Sequence, residues 1–197
     1  MLAMSFTEAD LAYLSANYLT LEELCTDRAQ SPEEVRSLIQ ERRLPQPSYV
    51  VPDGTGMFAA DYFRLVDEAG GVGRLREHFA ARHRAASAAR RGNELEQDWE
   101  MYLDGTWGIC LRDVTPETIV RKNVLVWSLC ELLVLARPRD PEWRKALREQ
   151  VDELDELERE FAPDYDRSDA VDRLPTRDLI ITAARQRYPE VFATVTS

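Results

Sequence analysis

The segment Asp98–Arg112 gathers the side chains best suited to chemistry or binding in this chain. Trp99, Tyr102 and Trp107 are large rings with a polar handle. Glu100, Asp104 and Arg112 are ionisable groups beside the glycine-flanked turn at Gly105. A pocket that orients a small molecule needs this mixture of apolar area and a few polar groups. Arg121, with Lys122 beside it, opens the following helix and can act as an anion clamp on the same cavity. The candidate ligand-binding set is therefore Trp99, Glu100, Tyr102, Asp104, Trp107, Arg112 and Arg121, with no catalytic residue assigned. The same residues also suit a packed helix junction whose charges are solvated.

Other chemistries fit the sequence less well. His78 and His83 lie five apart on one expected helix, roughly 140° around its axis, so they do not share a face for a metal. Either can still serve as a general base in a cleft. Cys25, Cys110 and Cys130 are odd in number, lack CxxC spacing and sit among apolar neighbours, which reads as three reduced packing residues. The cluster Gly70-Gly71-Val72-Gly73 follows a helix instead of a strand, so it is a joint and not a dinucleotide fingerprint. No Ser-His-Asp signature, P-loop or zinc-protease motif is present, and neither a metal nor a cofactor is expected.

The elements that must position these groups can be read from helix caps. Thr7 can cap a first helix, with Asp10 three residues on, while Thr20 with Glu23 and Ser31 with Glu34 form two capping boxes, the latter with Pro32 at the first helical position. The two boxes are only eleven residues apart, and Asp27–Gln30 is short enough for a helix-turn-helix turn. Ser48–Val51 reads as a strand, Pro52–Gly56 as turn chemistry, and Met57-Phe58 as the return strand. Ala59–Glu68 then reads as a helix that covers this hairpin, and Val72–Arg91 as a helix stopped by Gly92-Asn93. Beyond Glu94 the pattern is helical, with Thr115-Pro116 and Asp140-Pro141 as further starts. Ile119–Leu135 is apolar nearly all round and reads as a buried central helix. The expected fold is mainly α: a winged helix-turn-helix with a small β-hairpin wing over residues 1–69, then a helical bundle over 72–197. Leu147, Val151, Leu154 and Leu157 form an apolar stripe with acidic flanks, suited to a domain surface or a homodimer.

Three segments, YLTLEELC, RRLPQPSYVVPDGTGMFAADYF and DWEMYLDGTWGICLRDVTPETIVRK, resemble an actinobacterial family of unknown function labelled as natural-product biosynthesis proteins. The resemblance runs roughly from Leu14 to Phe192 and implies a role in secondary metabolism, with no catalytic residue to carry over. The N-terminal third separately resembles the winged helices of MerR-type regulators and excisionases.

Charge decides between the roles such a fold can take. Of the net −11, residues 1–67 carry five arginines against eleven acids, a net of −6. The start of the expected recognition helix holds Glu33 and Glu34, and phosphate contacts supply most of the affinity of DNA binders. Only residues 68–93 are basic, at +4. A cytosolic protein that binds a metabolite, a peptide or a partner enzyme is the leading expectation. A small enzyme using Trp99–Arg112 and a MerR-like regulator are the alternatives. A deep pocket holding Glu100, Tyr102 and Arg112 would favour the enzyme, a basic wing face the regulator, and an apolar groove beside the wing the binding module. No run approaches the ~20 apolar residues of a membrane span.

Overall fold

The computed structural model describes residues 6–87, 94–168 and 175–193. It is mainly helical, with a small three-stranded antiparallel sheet. Both expected capping boxes form, and Thr7 with Asp10 makes a third. Thr7 caps α1 (Glu8–Asn17), Thr20 caps α2 (Leu21–Leu24), and Ser31 caps α3 (Pro32–Gln40). In each, the hydroxyl accepts from the backbone N–H three residues on, and the carboxylate there accepts the cap's own N–H. Such a cap contributes about 1 kcal/mol. Asp10 does more. It is fully buried, and its Oδ1 also accepts the N–H groups of Asp164 and Tyr165 at 2.9 and 3.1 Å, tying the first helix to a loop late in the chain.

Helix α3 ends in a Schellman arrangement. Arg43 N–H bonds Leu38 O at 2.9 Å and Arg42 N–H bonds Ile39 O at 3.0 Å, with Arg42 left-handed at φ 55°. The hairpin follows. β2 (Tyr49–Val50) pairs with β3 (Gly56–Ala59), Tyr49 opposite Met57 and Val50 opposite Gly56. Gly54 takes φ 89° in the turn, and Asp53 Oδ1 accepts the Thr55 N–H at 2.9 Å. A strand that the sequence reading lacks, β1 (Tyr18–Leu19), pairs with the other side of β3, so the order is β1-β3-β2 and β2 is an edge.

The expected helix from Ala59 is shorter. Ala59 closes β3, Ala60–Phe63 turn, and α4 covers only Arg64–Glu68. Tyr62 still packs edge-on against Phe58, 4.9 Å between centroids. Gly70 and Gly71 have positive φ, and a 3₁₀ turn (Val72–Arg74) leads into α5 (Leu75–Ala86). The expected stop at Gly92-Asn93 lies outside the described residues. Then come α6 (Glu94–Leu103), an unforeseen short α7 (Thr106–Cys110), α8 (Pro116–Val134) and α9 (Pro141–Leu157). Thr115 and Asp140 cap the last two. A π-helical stretch, Arg177–Thr182, runs into α10 (Ala183–Arg187), and α11 (Pro189–Phe192) ends the described chain.

The largest core cluster joins both sides of the Gly70-Gly71 break: Val35, Leu44, Phe58 and Leu65 pack with Phe79, Tyr102, Trp107 and Leu111. A second cluster holds α8, α9 and the C-terminal helices through Leu129, Leu147, Leu154 and Ile181. Helix α8 departs from the all-round burial expected of it. It packs on α5 and α9, but Trp127 is 70% exposed and Val134 81%. No described element covers that face. Cys130 lies exposed there, a correction to its reading as a packing residue; Cys25 and Cys110 are buried, and all three are free thiols.

Candidate functional site

A groove of about 430 Å³ lies between the α2–α3 pair and the hairpin. Leu21, Arg36, Ile39 and Gln40 line its helical side, and Pro47, Val50, Asp53 and Phe58 its hairpin side. The capping boxes set the two helices, and the Gly54 turn sets the hairpin, so the groove is a direct product of local sequence. Its lining mixes apolar side chains (Leu21, Ile39, Val50, Phe58) with polar ones (Arg36, Gln40, Asp53, Thr55). Val50 is 54% exposed on β2, whose outer edge has no strand neighbour among the described residues. Glu22 also lines the groove and holds the Arg36 guanidinium, which reaches Glu33 at 3.2 Å as well.

Arg36 is typical of its neighbours. Every arginine before the glycine break is paired with a carboxylate. Arg28 meets Asp67, Arg42 meets Glu100 at 2.7 Å and Asp104 at 3.0 Å, Arg43 meets Glu41 at 3.2 Å, and Arg64 meets Asp61 and Asp113 at 2.9 Å each. The cation of Arg28 also lies 4.0 Å over the Phe63 ring. Downstream, Arg82 is shared by Glu68 and Glu117.

The Trp99–Arg112 residues are divided between core and surface. Trp99, Tyr102 and Trp107 are buried, and the Trp107 indole N–H donates to Asp98 O at 3.0 Å. Glu100 and Asp104 face outward and are brought together by Arg42. Arg112 has an exposed side chain, while its backbone bonds Leu157 and Arg159. Arg121 is held by Glu153 on α9. Tyr102 and Trp107 do share a cavity, of about 30 Å³, with Pro45, Asp61, Leu65 and Val114. Glu100, Arg112 and Arg121 do not line it. Burial, reinforced by the Asp61 charge, pushes the Tyr102 phenol upward, so the hydroxyl stays protonated.

Two buried polar nodes escaped sequence reading because their members lie on different helices. His83 Nε2 on α5 is 2.8 Å from Asp98 Oδ2 on α6, and the Asn123 amide of α8 donates to the same carboxylate at 3.2 Å. Burial raises the Asp98 pKa, opposed by these hydrogen bonds. Ser87 Oγ lies 3.3 Å from His83 Nδ1, but His83 is only 2% exposed, too enclosed for a substrate to reach. The second node is Lys122 Nζ, 2.8 Å from Glu158 Oε1 and 3.1 Å from Thr176 Oγ1. Burial alone would depress the ammonium; Cys110 and Glu158 outweigh it and hold it above the ordinary lysine range. Breaking a buried pair by removing one partner is costly, so both nodes read as structural pins. Among the described residues no group of three His, Cys, Asp or Glu is placed to hold a metal, and no helix is long and apolar enough to cross a membrane.

A protein-family model matches residues 71–189, from the glycine break to the start of α11. The chain belongs to that family. It is described as a family of unknown function, DUF6058. The match covers α5 to α10 and the Tyr102–Trp107 segment, and leaves the groove in the part before it. No curated protein and no solved structure matches the chain.

Proposed function

We propose that this chain is a binding module whose N-terminal part is a winged helix-turn-helix turned to protein recognition. Its occupant is an extended peptide segment of a partner protein, laid in the groove along β2. The single observation that carries this reading is a groove of mixed apolar and polar lining beside an edge strand, with Val50 exposed on that edge. An extended peptide gains main-chain hydrogen bonds from such an edge and specificity from the pockets for alternate side chains. The acidic charge of residues 1–67, with Asp53 in the groove, favours a peptide alternating apolar residues with Lys or Arg.

Two observations weigh against the alternatives. Arg36, Arg42 and Arg43 each face a carboxylate, so a phosphate would have to compete with it. The cavity at Tyr102 is too small for an ordinary organic substrate, since ligand sites typically run to about 300–1,000 Å³. The resemblance to natural-product biosynthesis proteins supports a partner that is a cytosolic enzyme of secondary metabolism, or the peptide such an enzyme handles.

Selection from a displayed library of random ten-residue peptides tests the reading. Recovered binders should alternate apolar and basic residues and lose at least tenfold in affinity against Val50→Glu. A library that returns only helical peptides, or binders indifferent to Val50→Glu, contradicts it. A double-stranded DNA titration run beside it at physiological salt should stay flat.

A further inference from the structure

Two side-chain atoms that line or border the Tyr102 cavity are buried and lack a hydrogen-bond partner: the Tyr102 hydroxyl and Asp61 Oδ1. Tyr102 is 4% exposed. Buried polar groups are nearly always paired, so two unpaired ones in one cavity require an explanation. A phenylalanine at 102 would fill the same space without burying an unmatched hydroxyl. The other carboxylate oxygen is accounted for. Asp61 Oδ2 accepts the Val114 N–H at 2.8 Å and the Arg64 guanidinium at 2.9 Å, which fixes the carboxyl and leaves Oδ1 over.

The walls are built to hold this shape. Gly105 has φ 73°, and a Cβ there would lie 2.5 Å from Gln46 O; one at Gly108 would lie 2.2 Å from Ser48 Oγ. The Pro45–Ser48 segment therefore seats directly on α7, held by Gln46 N–H to Leu103 O at 2.8 Å and Ser48 Oγ–H to Gly105 O at 3.2 Å. Pro45, Leu65, Trp107 and Val114 make the remaining lining largely apolar.

The two polar atoms define the chemistry of a ligand. Asp61 Oδ1 can only accept, and the Tyr102 hydroxyl has a proton to donate, so a group that satisfies both donates to Asp61 and accepts from Tyr102. A carboxylate cannot donate and meets the Asp61 charge. An ammonium leaves the Tyr102 proton unmatched, and Arg64 already neutralises Asp61. A hydroxyl does both, whether water's or an alcohol's, and the largely apolar wall favours the alcohol. Water needs ~10–15 Å³ of such volume, so about 30 Å³ admits a group of two or three heavy atoms. We propose that the cavity between Asp61 and Tyr102 is a binding site for a small neutral alcohol, whose hydroxyl bridges the two side chains while its carbons meet the apolar wall. This site adjoins the peptide groove, with Gln46 lining both, but its proposal does not rest on the groove's occupant.

The test is a set of ¹H–¹⁵N titrations of the full chain with ethanol, methylammonium and acetate at equal concentrations. Ethanol should give saturable shifts at the Gly105, Gly108 and Val114 amides, and the two ions should not. Tyr102→Phe should weaken ethanol at least tenfold without lowering the thermal midpoint, because it removes only the unpaired hydroxyl. Asp61→Asn keeps an acceptor for Val114 and should also weaken ethanol; if it does not fold, Tyr102→Phe alone decides. The proposal is overturned if either ion binds as well as ethanol, if Tyr102→Phe binds ethanol like the parent chain, or if none of the probes moves those amides.

Discussion

Arg36 of α3 and Glu22 of α2 both line the groove and are paired with each other. The pair joins the two helices that form one wall, and both side chains remain substantially exposed. Exposed pairs contribute about 0–1 kcal/mol, so its effect on stability should be small and its effect on recognition larger. Glu22→Lys should shift the thermal midpoint by no more than about 2 °C in calorimetry. It should weaken a basic peptide by tenfold or more, with the loss growing at low ionic strength. A loss independent of salt would mean that the mutation distorts the groove instead of its field.

The same accounting of cations gives the second prediction. Arg42 is turned to Glu100 and Asp104, and Arg43 to Glu41. Polarisation titrations with promoter DNA from the gene's own neighbourhood should show no sequence-specific complex at physiological salt. A nanomolar complex abolished by Arg42→Ala or Arg43→Ala would refute this.

The Lys122–Glu158 pair should be a strong structural pin. Lys122→Met leaves a fully buried carboxylate beside Thr176 and should cost about 3–5 kcal/mol in urea unfolding. Lys122→Met with Glu158→Leu should recover most of that loss, since an apolar pair of similar volume replaces the ions. A double variant no more stable than the single one would show that Thr176 and Cys110 carry the interaction.

Asp10 links stability to pH. Burial pushes its pKa up, but the N–H groups of Asp164, Tyr165 and Thr7 and the Thr7 hydroxyl outweigh it, and the folded value lies below the ordinary 3.8. A lowered folded pKa means that its contribution is present above 3.8 and is lost as pH falls through the folded value. Asp10→Asn should therefore destabilise the chain by about 1–3 kcal/mol at pH 7, and by clearly less near pH 3. A penalty constant from pH 7 to pH 3 would assign the loss to geometry and not to charge.

Local signals carried most of what was legible. The capping boxes at Thr7, Thr20 and Ser31 and the Asp53-Gly54 turn each close within a few residues, so their types announced them. Strand β1 did not, because Tyr18 and Leu19 become a strand only by meeting Ala59 and Phe58, some forty residues on. Helix α7 was hidden by Gly105 and Gly108, which are there for the close approach of Gln46 and Ser48. Apolar character likewise could not tell that Trp127 and Val134 lack a partner. At the candidate site, Tyr102 and Trp107 were legible as a pair, but Asp61 was not, since it reaches the cavity from the segment after β3. Arg112 and Arg121 point elsewhere because charge in a sequence has no direction until the backbone supplies one.

Amide hydrogen exchange with and without a selected peptide tests the binding-module reading most directly. If the peptide adds to β2, the amides of Tyr49–Val51 and of α3 around Arg36–Gln40 should exchange at least tenfold more slowly in the complex, and Val50→Glu should abolish the protection. Protection confined to the exposed Trp127–Val134 face of α8, or spread evenly with β2 unchanged, would contradict the account.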